Sequence, residues 1–179
     1  MLLERPPREG ENEPVGPPDP AAIEAVELPV YDRFAATRTA TVPAAYLLPA
    51  AYPEAATLLA RQGILVERLA ADWTGAVTRF TVDELKVAER SYQGHRLTTL
   101  EGRFEPAEVE LPAGTFLIRT AQPLARLLFH LAEPESTDGL SAWGLLDRGL
   151  RKGGRYPILK CAEVPAVARH RFLPRTAER

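Results

Sequence analysis

Between residues 22 and 162 the apolar positions fall mostly into short extended segments, interrupted by two stretches of helical spacing. Residues 25–41 alternate loosely and are rich in Val, Tyr, Phe and Thr, which predicts a strand bent at Pro29. Pro53 stands where a helix would begin, Ala55, Leu58 and Leu59 share one face, and Gly63 supplies a stop, so a helix is predicted over 53–62. Residues 64–69 return as a strand. Residues 77–87 follow as another, with a period-2 phase slip at Asp83 and Glu84 that predicts a β-bulge. Further strands are predicted at 96–104, 108–111, 115–118 and 156–160. Leu124, Leu127, Leu128 and Leu131 repeat at helical spacing between Pro123 and Pro134, predicting a second helix over 123–133 whose leucine stripe packs on the sheet. The fold class that follows is α+β and mostly β: an antiparallel sheet or sandwich-like module with two short helices.

Composition sets the limits of this core. Six of the 17 prolines lie in the first twenty residues, which read as a flexible leader (1–20), and residues 163–179, with Arg169, His170, Arg171, Arg175 and Arg179, read as a basic flexible tail. A single domain over 21–162 remains. Lys and Arg number 22 against 24 Asp and Glu, a net charge of -2, so no basic field speaks for a nucleic-acid partner. One cysteine rules out an internal disulfide and a multi-cysteine zinc site. No apolar run has bilayer-spanning length and the N-terminus lacks a signal-peptide core, so the expectation is a soluble protein without a membrane partner, cytoplasmic by default.

Candidate chemistry is sparse. His130 and Glu133 form an H-x-x-E pair at i and i+3 on the second helix, a spacing that can present two metal ligands; with only three histidines in the chain a third ligand is hard to find. The ordinary alternative is a helix-flanking histidine and a solvated glutamate. Tyr92, Gly94, His95 and Arg96 fall in a turn between two strands, where Gly94 is expected at positive φ and His95 and Arg96 can meet an anion or carboxylate. Trp73, Tyr92, His95 and Arg96 are the residues from which a peptide- or carbohydrate-binding groove can be assembled; core packing is the competing reading for the aromatics, Trp143 among them. Gln122 can cap the second helix with its amide, and Arg119 can pair with Glu133, Glu135 or Asp138. Cys161 lacks a nucleophile motif and reads as a buried apolar residue. G-x-S-x-G and Gly-rich phosphate-loop signatures are missing, and no catalytic residue is assigned.

Three stretches taken in order carry a resemblance: Val30-Tyr31-Asp32-Arg33-Phe34 with Val42 to Pro49, then Leu58 to Leu69, then Pro112 to Phe116 leading into Thr120 to Leu127. Tyr92-Gln93-Gly94-His95, Leu131 to Ser136 and Trp143 to Asp147 continue the series. Together they resemble the C-terminal accessory region of bacterial zinc carboxypeptidase (carboxypeptidase A-like metallopeptidase) family proteins. The resemblance implies a β-rich accessory module downstream of a catalytic domain that supplies the zinc, the H-x-x-E pair, the third histidine and the glutamate base. His130 and Glu133 lie inside the matching accessory stretch, so the resemblance assigns them no ligand role and implies no cofactor for this chain itself. Because the chain starts at its own methionine, it is expected to be either a truncated product or a free-standing descendant of that module.

The leading expectation is therefore a non-catalytic accessory or interaction domain whose partner is a peptidase domain or a second copy of itself. A small peptide- or carbohydrate-binding module is the alternative. An independent metallopeptidase-like hydrolase using His130 and Glu133 is the third.

Overall fold

The computed structural model describes residues 2–4, 23–25, 27, 29, 30, 35 and 39–174. Two compact units emerge, Met1–Ala40 and Thr41–Arg179. In the first, β1 (Leu2–Glu4) and β2 (Ile23–Ala25) pair antiparallel, Leu2 opposite Ala25. Apart from Leu2–Glu4, the segment expected as a leader lies outside the described residues.

The second unit is built on one seven-stranded antiparallel sheet. Its elements in chain order are β3 (Ala45–Leu48), α1 (Pro53–Arg61), β4 (Glu67–Leu69), β5 (Trp73–Val87), β6 (Thr98–Leu111), β7 (Phe116–Arg119), α2 (Ala125–Ala132), β8 (Leu159–Cys161) and β9 (Arg169–Arg171). The strands lie in the order β6-β5-β8-β3-β7-β4-β9. The mostly-β class with two short helices is thus the observed one, realised as an antiparallel sheet.

Strand β3, Ala-Tyr-Leu-Leu, is buried at every position because both faces of the sheet are covered. On one face Tyr46, Leu48, Phe80, Val82, Leu100, Phe116 and Ile118 pack with Ala55, Ala56 and Leu59 of α1 and Leu128 and Ala132 of α2. On the other, Ala45, Leu47, Val77, Leu117 and Cys161 meet Trp73, Val109, Leu111, Val164 and Val167. Helix α1 ends in a Schellman motif: Gly63 takes φ 88°, its N–H donates to Ala60 O, and the Ile64 N–H donates to Leu59 O. The bulge expected at Asp83 and Glu84 is present, as a register shift between Val82 and Glu84.

Several boundaries differ from the sequence expectation, each for a physical reason. Of the strand expected over 25–41, Ala25 closes β2 and residues 26, 28, 31–34 and 36–38 lie outside the described residues; the seven-stranded sheet begins at Ala45–Leu48, an apolar run bracketed by Pro43 and Pro49 whose burial on both faces erases any period-2 signal. Strand β4 starts at Glu67 and not at residue 64: the Leu65 N–H donates to the side chain of Gln122, while Val66 O accepts from the Phe172 N–H at 2.9 Å. That contact also replaces the helix cap expected of Gln122; α2 begins after Leu124 without a side-chain cap. The strands expected at 96–104 and 108–111 are one strand running through Pro106, tolerated because β6 is a sheet edge. Arg119 pairs with Glu67 at 2.8 Å. The segment from 163, expected as a basic tail, supplies β9 beside β4, and its Phe172 ring meets Phe116 edge-on at 5.0 Å; residues 175–179 lie outside the described residues.

Cys161 is 1% exposed, and burial pushes its thiol up to about 11. A folded-state value above the unfolded one favours the neutral thiol, so this stabilisation is complete below the ordinary thiol range and is lost as pH rises toward 11. Urea titrations at neutral pH and at about pH 10.5 should show the unmodified chain losing about 2 kcal/mol more than Cys161→Val over that interval. Equal losses would show the thiol to be exposed to water.

Candidate functional site

Strand β5 turns into β6 through a hairpin whose tip is Tyr92-Gln93-Gly94-His95. Tyr92 and His95 exchange backbone hydrogen bonds of 2.8 and 2.9 Å. Gln93 and Gly94, at φ 49° and 83°, occupy the two positive-φ positions of a type I′ turn. The positive φ expected at Gly94 is therefore present. Below the tip, Arg96 Nε donates to Ala88 O at 2.7 Å, which fixes the root of the guanidinium.

The hairpin leans on residues 136–150, a run of turns tied to it by the Thr98 N–H donating to Ala142 O at 3.1 Å. Here Trp143 meets the edge of His95 at 5.6 Å between centroids and lies tilted against Tyr92 at 6.3 Å. Trp143 Nε1 donates to Asp138, which holds the indole in place. Hairpin and turns enclose an open cleft of about 370 Å³, lined by Leu85, Val87, Arg96, Trp143, Asp147 and Leu150, with His95 at its rim.

Three of the four expected groove residues, Tyr92, His95 and Arg96, are thus brought together. Trp73 is not with them. It opens β5, whereas the tip lies beyond the far end of that 15-residue strand, roughly 45 Å away for a straight strand. Its indole lies over Gly75, so closely that a Cβ there would overlap the ring, and it packs in the second face of the core. The aromatic wall of the cleft is instead Trp143, and its acid is Asp147. Trp143 stood among the aromatics that could line a groove, but nothing in the sequence set it or Asp147 beside the hairpin, because contact across the 136–150 turns has no period.

The H-x-x-E pair does not form a ligand pair. His130 is exposed, its Nδ1 3.5 Å from Ser136 Oγ. Glu133, just past the end of α2 in extended conformation, is only 7% exposed and turns inward. Its Oε1 accepts from the Tyr46 hydroxyl at 2.6 Å and its Oε2 from Lys160 Nζ at 2.7 Å. Lys160 Nζ also donates to Thr41 O at 3.3 Å and lies 4.0 Å from the Phe104 ring centroid. Both carboxylate oxygens are committed, and the residues present do not fit a zinc site. Among the described residues no group of three or more His, Cys, Asp or Glu is placed to hold a metal ion. Burial, then the hydrogen bond to Glu133 and its negative charge, holds the Tyr46 hydroxyl well above its ordinary range; burial does the same for Tyr156.

Lys160 also forms the floor of a second cleft, about 480 Å³, between Pro43, Val42 and Phe104. A lone lysine inside the apolar run Ile158 to Cys161 was the available signal that an acid must be buried opposite it.

Comparison with known proteins gives one consistent result. Carboxypeptidase 2 of Trichophyton tonsurans is 30% identical over 125 residues, 70% of this chain and 23% of that protein. Carboxypeptidase 2 of Trichophyton rubrum is 30% identical over 122 residues, 68% of this chain and 22% of that protein. The Probable carboxypeptidase 2 of Arthroderma benhamiae is 29% identical over 103 residues, 58% of this chain and 20% of that protein. The chain spans less than a quarter of the length of these relatives and is similar to a region of proteins named for carboxypeptidase activity. They are fungal, and the bacterial source attached to the resemblance finds no support among them. No family model matches the chain, and no solved structure matches it. No helix of the described residues is long and apolar enough to cross a membrane.

Proposed function

We propose that this chain is a non-catalytic accessory domain of carboxypeptidase type, which works by packing on a peptidase domain or on a second copy of itself. The observation that carries the reading is the fate of Glu133. The H-x-x-E pair of His130 and Glu133 is pulled apart, and its acid is consumed in a buried contact with Tyr46 and Lys160. The match to less than a quarter of Carboxypeptidase 2 supports the same reading, since a region of that size accompanies a much longer remainder. The reading gives the chain no zinc of its own and no nucleic-acid or membrane partner.

Two measurements test it. Incubated with Zn²⁺ and a pair of peptides differing only in a free or amidated C-terminus, the chain alone is expected to release no residue from either. Release from the free peptide, abolished in Glu133→Gln, would overturn the reading. In Carboxypeptidase 2 of Trichophyton rubrum, removal of the matched stretch is expected to lower both melting temperature and activity; unchanged values would refute a supporting role for this region.

A further inference from the structure

The cleft under the hairpin holds two opposite charges that the fold does not use. Arg96 is anchored through Nε on Ala88 O, and its two Nη groups take no partner among the described residues. The Asp147 carboxylate is likewise unpaired there, and although both residues line the same cleft they form no ion pair with each other. The same lining includes apolar surfaces of Leu85, Val87, Leu150 and Trp143. Val87, one of these, is left 44% exposed.

We propose that this cleft binds a free apolar α-amino acid as its zwitterion. The carboxylate would take the forked Nη donors of Arg96, the ammonium would face Asp147, and the side chain would lie on the apolar wall. A volume of about 370 Å³ sits at the small end of ligand pockets, which suits a molecule of this size. The walls are set in advance: the type I′ turn fixes the tip, and Trp143 is held by Asp138, His95 and Tyr92. Little ordering is therefore required on binding. A sugar would stack on the aromatic but leave both full charges idle. The proposal rests on the cleft alone, so its failure leaves the accessory reading intact.

The test uses the two tryptophans. In Trp73→Phe, Trp143 is the sole indole and its emission reports the cleft. L-leucine and L-phenylalanine are expected to give a saturable change. N-acetyl-L-leucine, which lacks the ammonium, and L-leucinamide, which lacks the carboxylate, should each bind about tenfold or more weakly, as should L-leucine to Arg96→Gln or Asp147→Asn. The Trp143 indole N–H resonance of the unmutated chain gives the same titration if Trp73→Phe fails to fold. Absence of a saturable response to either amino acid, equal binding of a one-charge analogue, unchanged binding in either variant, or a response to maltose alone would overturn the proposal.

Discussion

Lys160→Met is expected to destabilise the chain by about 3–5 kcal/mol, measured by urea denaturation at neutral pH. Lys160 is 8% exposed and Glu133 7%, so the substitution leaves a buried carboxylate with the Tyr46 hydroxyl as its remaining donor. Most of the loss is the cost of stranding that charge, and little of it measures the worth of the pair. The double variant Lys160→Met with Glu133→Gln should therefore recover much of the loss, because it removes both charges while Gln still accepts from Tyr46. A single-variant cost under about 1 kcal/mol would mean that water reaches the pair, as it does at surface ion pairs. Tyr46 and Lys160 face each other across β3 and β8, and Thr78 of β5 pairs with Lys160 on its other side. The ion pair thus ties the end of α2 to one register of three adjacent strands. A slip by one residue would carry Lys160 to the opposite, apolar face, where Cys161 and Leu47 lie.

How legible these features were depends on how local their causes are. Helix α1 could be read from Pro53 and Gly63 because its start and stop are written within ten residues, and the bulge from the broken alternation at Asp83 and Glu84. Strand β3 could not, since a segment buried on both faces shows no alternation at all. β9 was hidden by its charges: Arg169 reaches Glu67 at 3.4 Å, so an arginine that looks solvated is paired across the sheet edge. The cleft was half legible. Turn chemistry placed Tyr92, His95 and Arg96 together, but the indole they meet depends on how residues 136–150 fold back, and of the two tryptophans the reading chose Trp73. Glu133 was misread for a related reason: helical spacing puts it beside His130, yet the helix ends one residue earlier and its extended backbone redirects the side chain inward.

Phe80→Ala is expected to cost about 3–5 kcal/mol, as truncation of a fully buried aromatic does when its surroundings cannot collapse. The ring is 0% exposed and makes edge contacts with Phe104 at 5.0 Å and Tyr156 at 6.2 Å between centroids. It also occupies the space above Gly102, where a Cβ would lie 2.7 Å from Phe80 Cζ and collide with the backbone oxygen of Thr81. Gly102 is opposite Val82, next to the bulge, so the missing side chain lets the strands close at the point where β5 changes phase. Gly102→Ala alone should cost about 3 kcal/mol, from overpacking against the ring and the backbone together. In the Phe80→Ala background the ring is gone and only the backbone collision remains. The two losses should then fall short of their sum by about 1 kcal/mol or more in a double-mutant cycle. Strict additivity would mean that the Thr81 carbonyl alone excludes a side chain at 102.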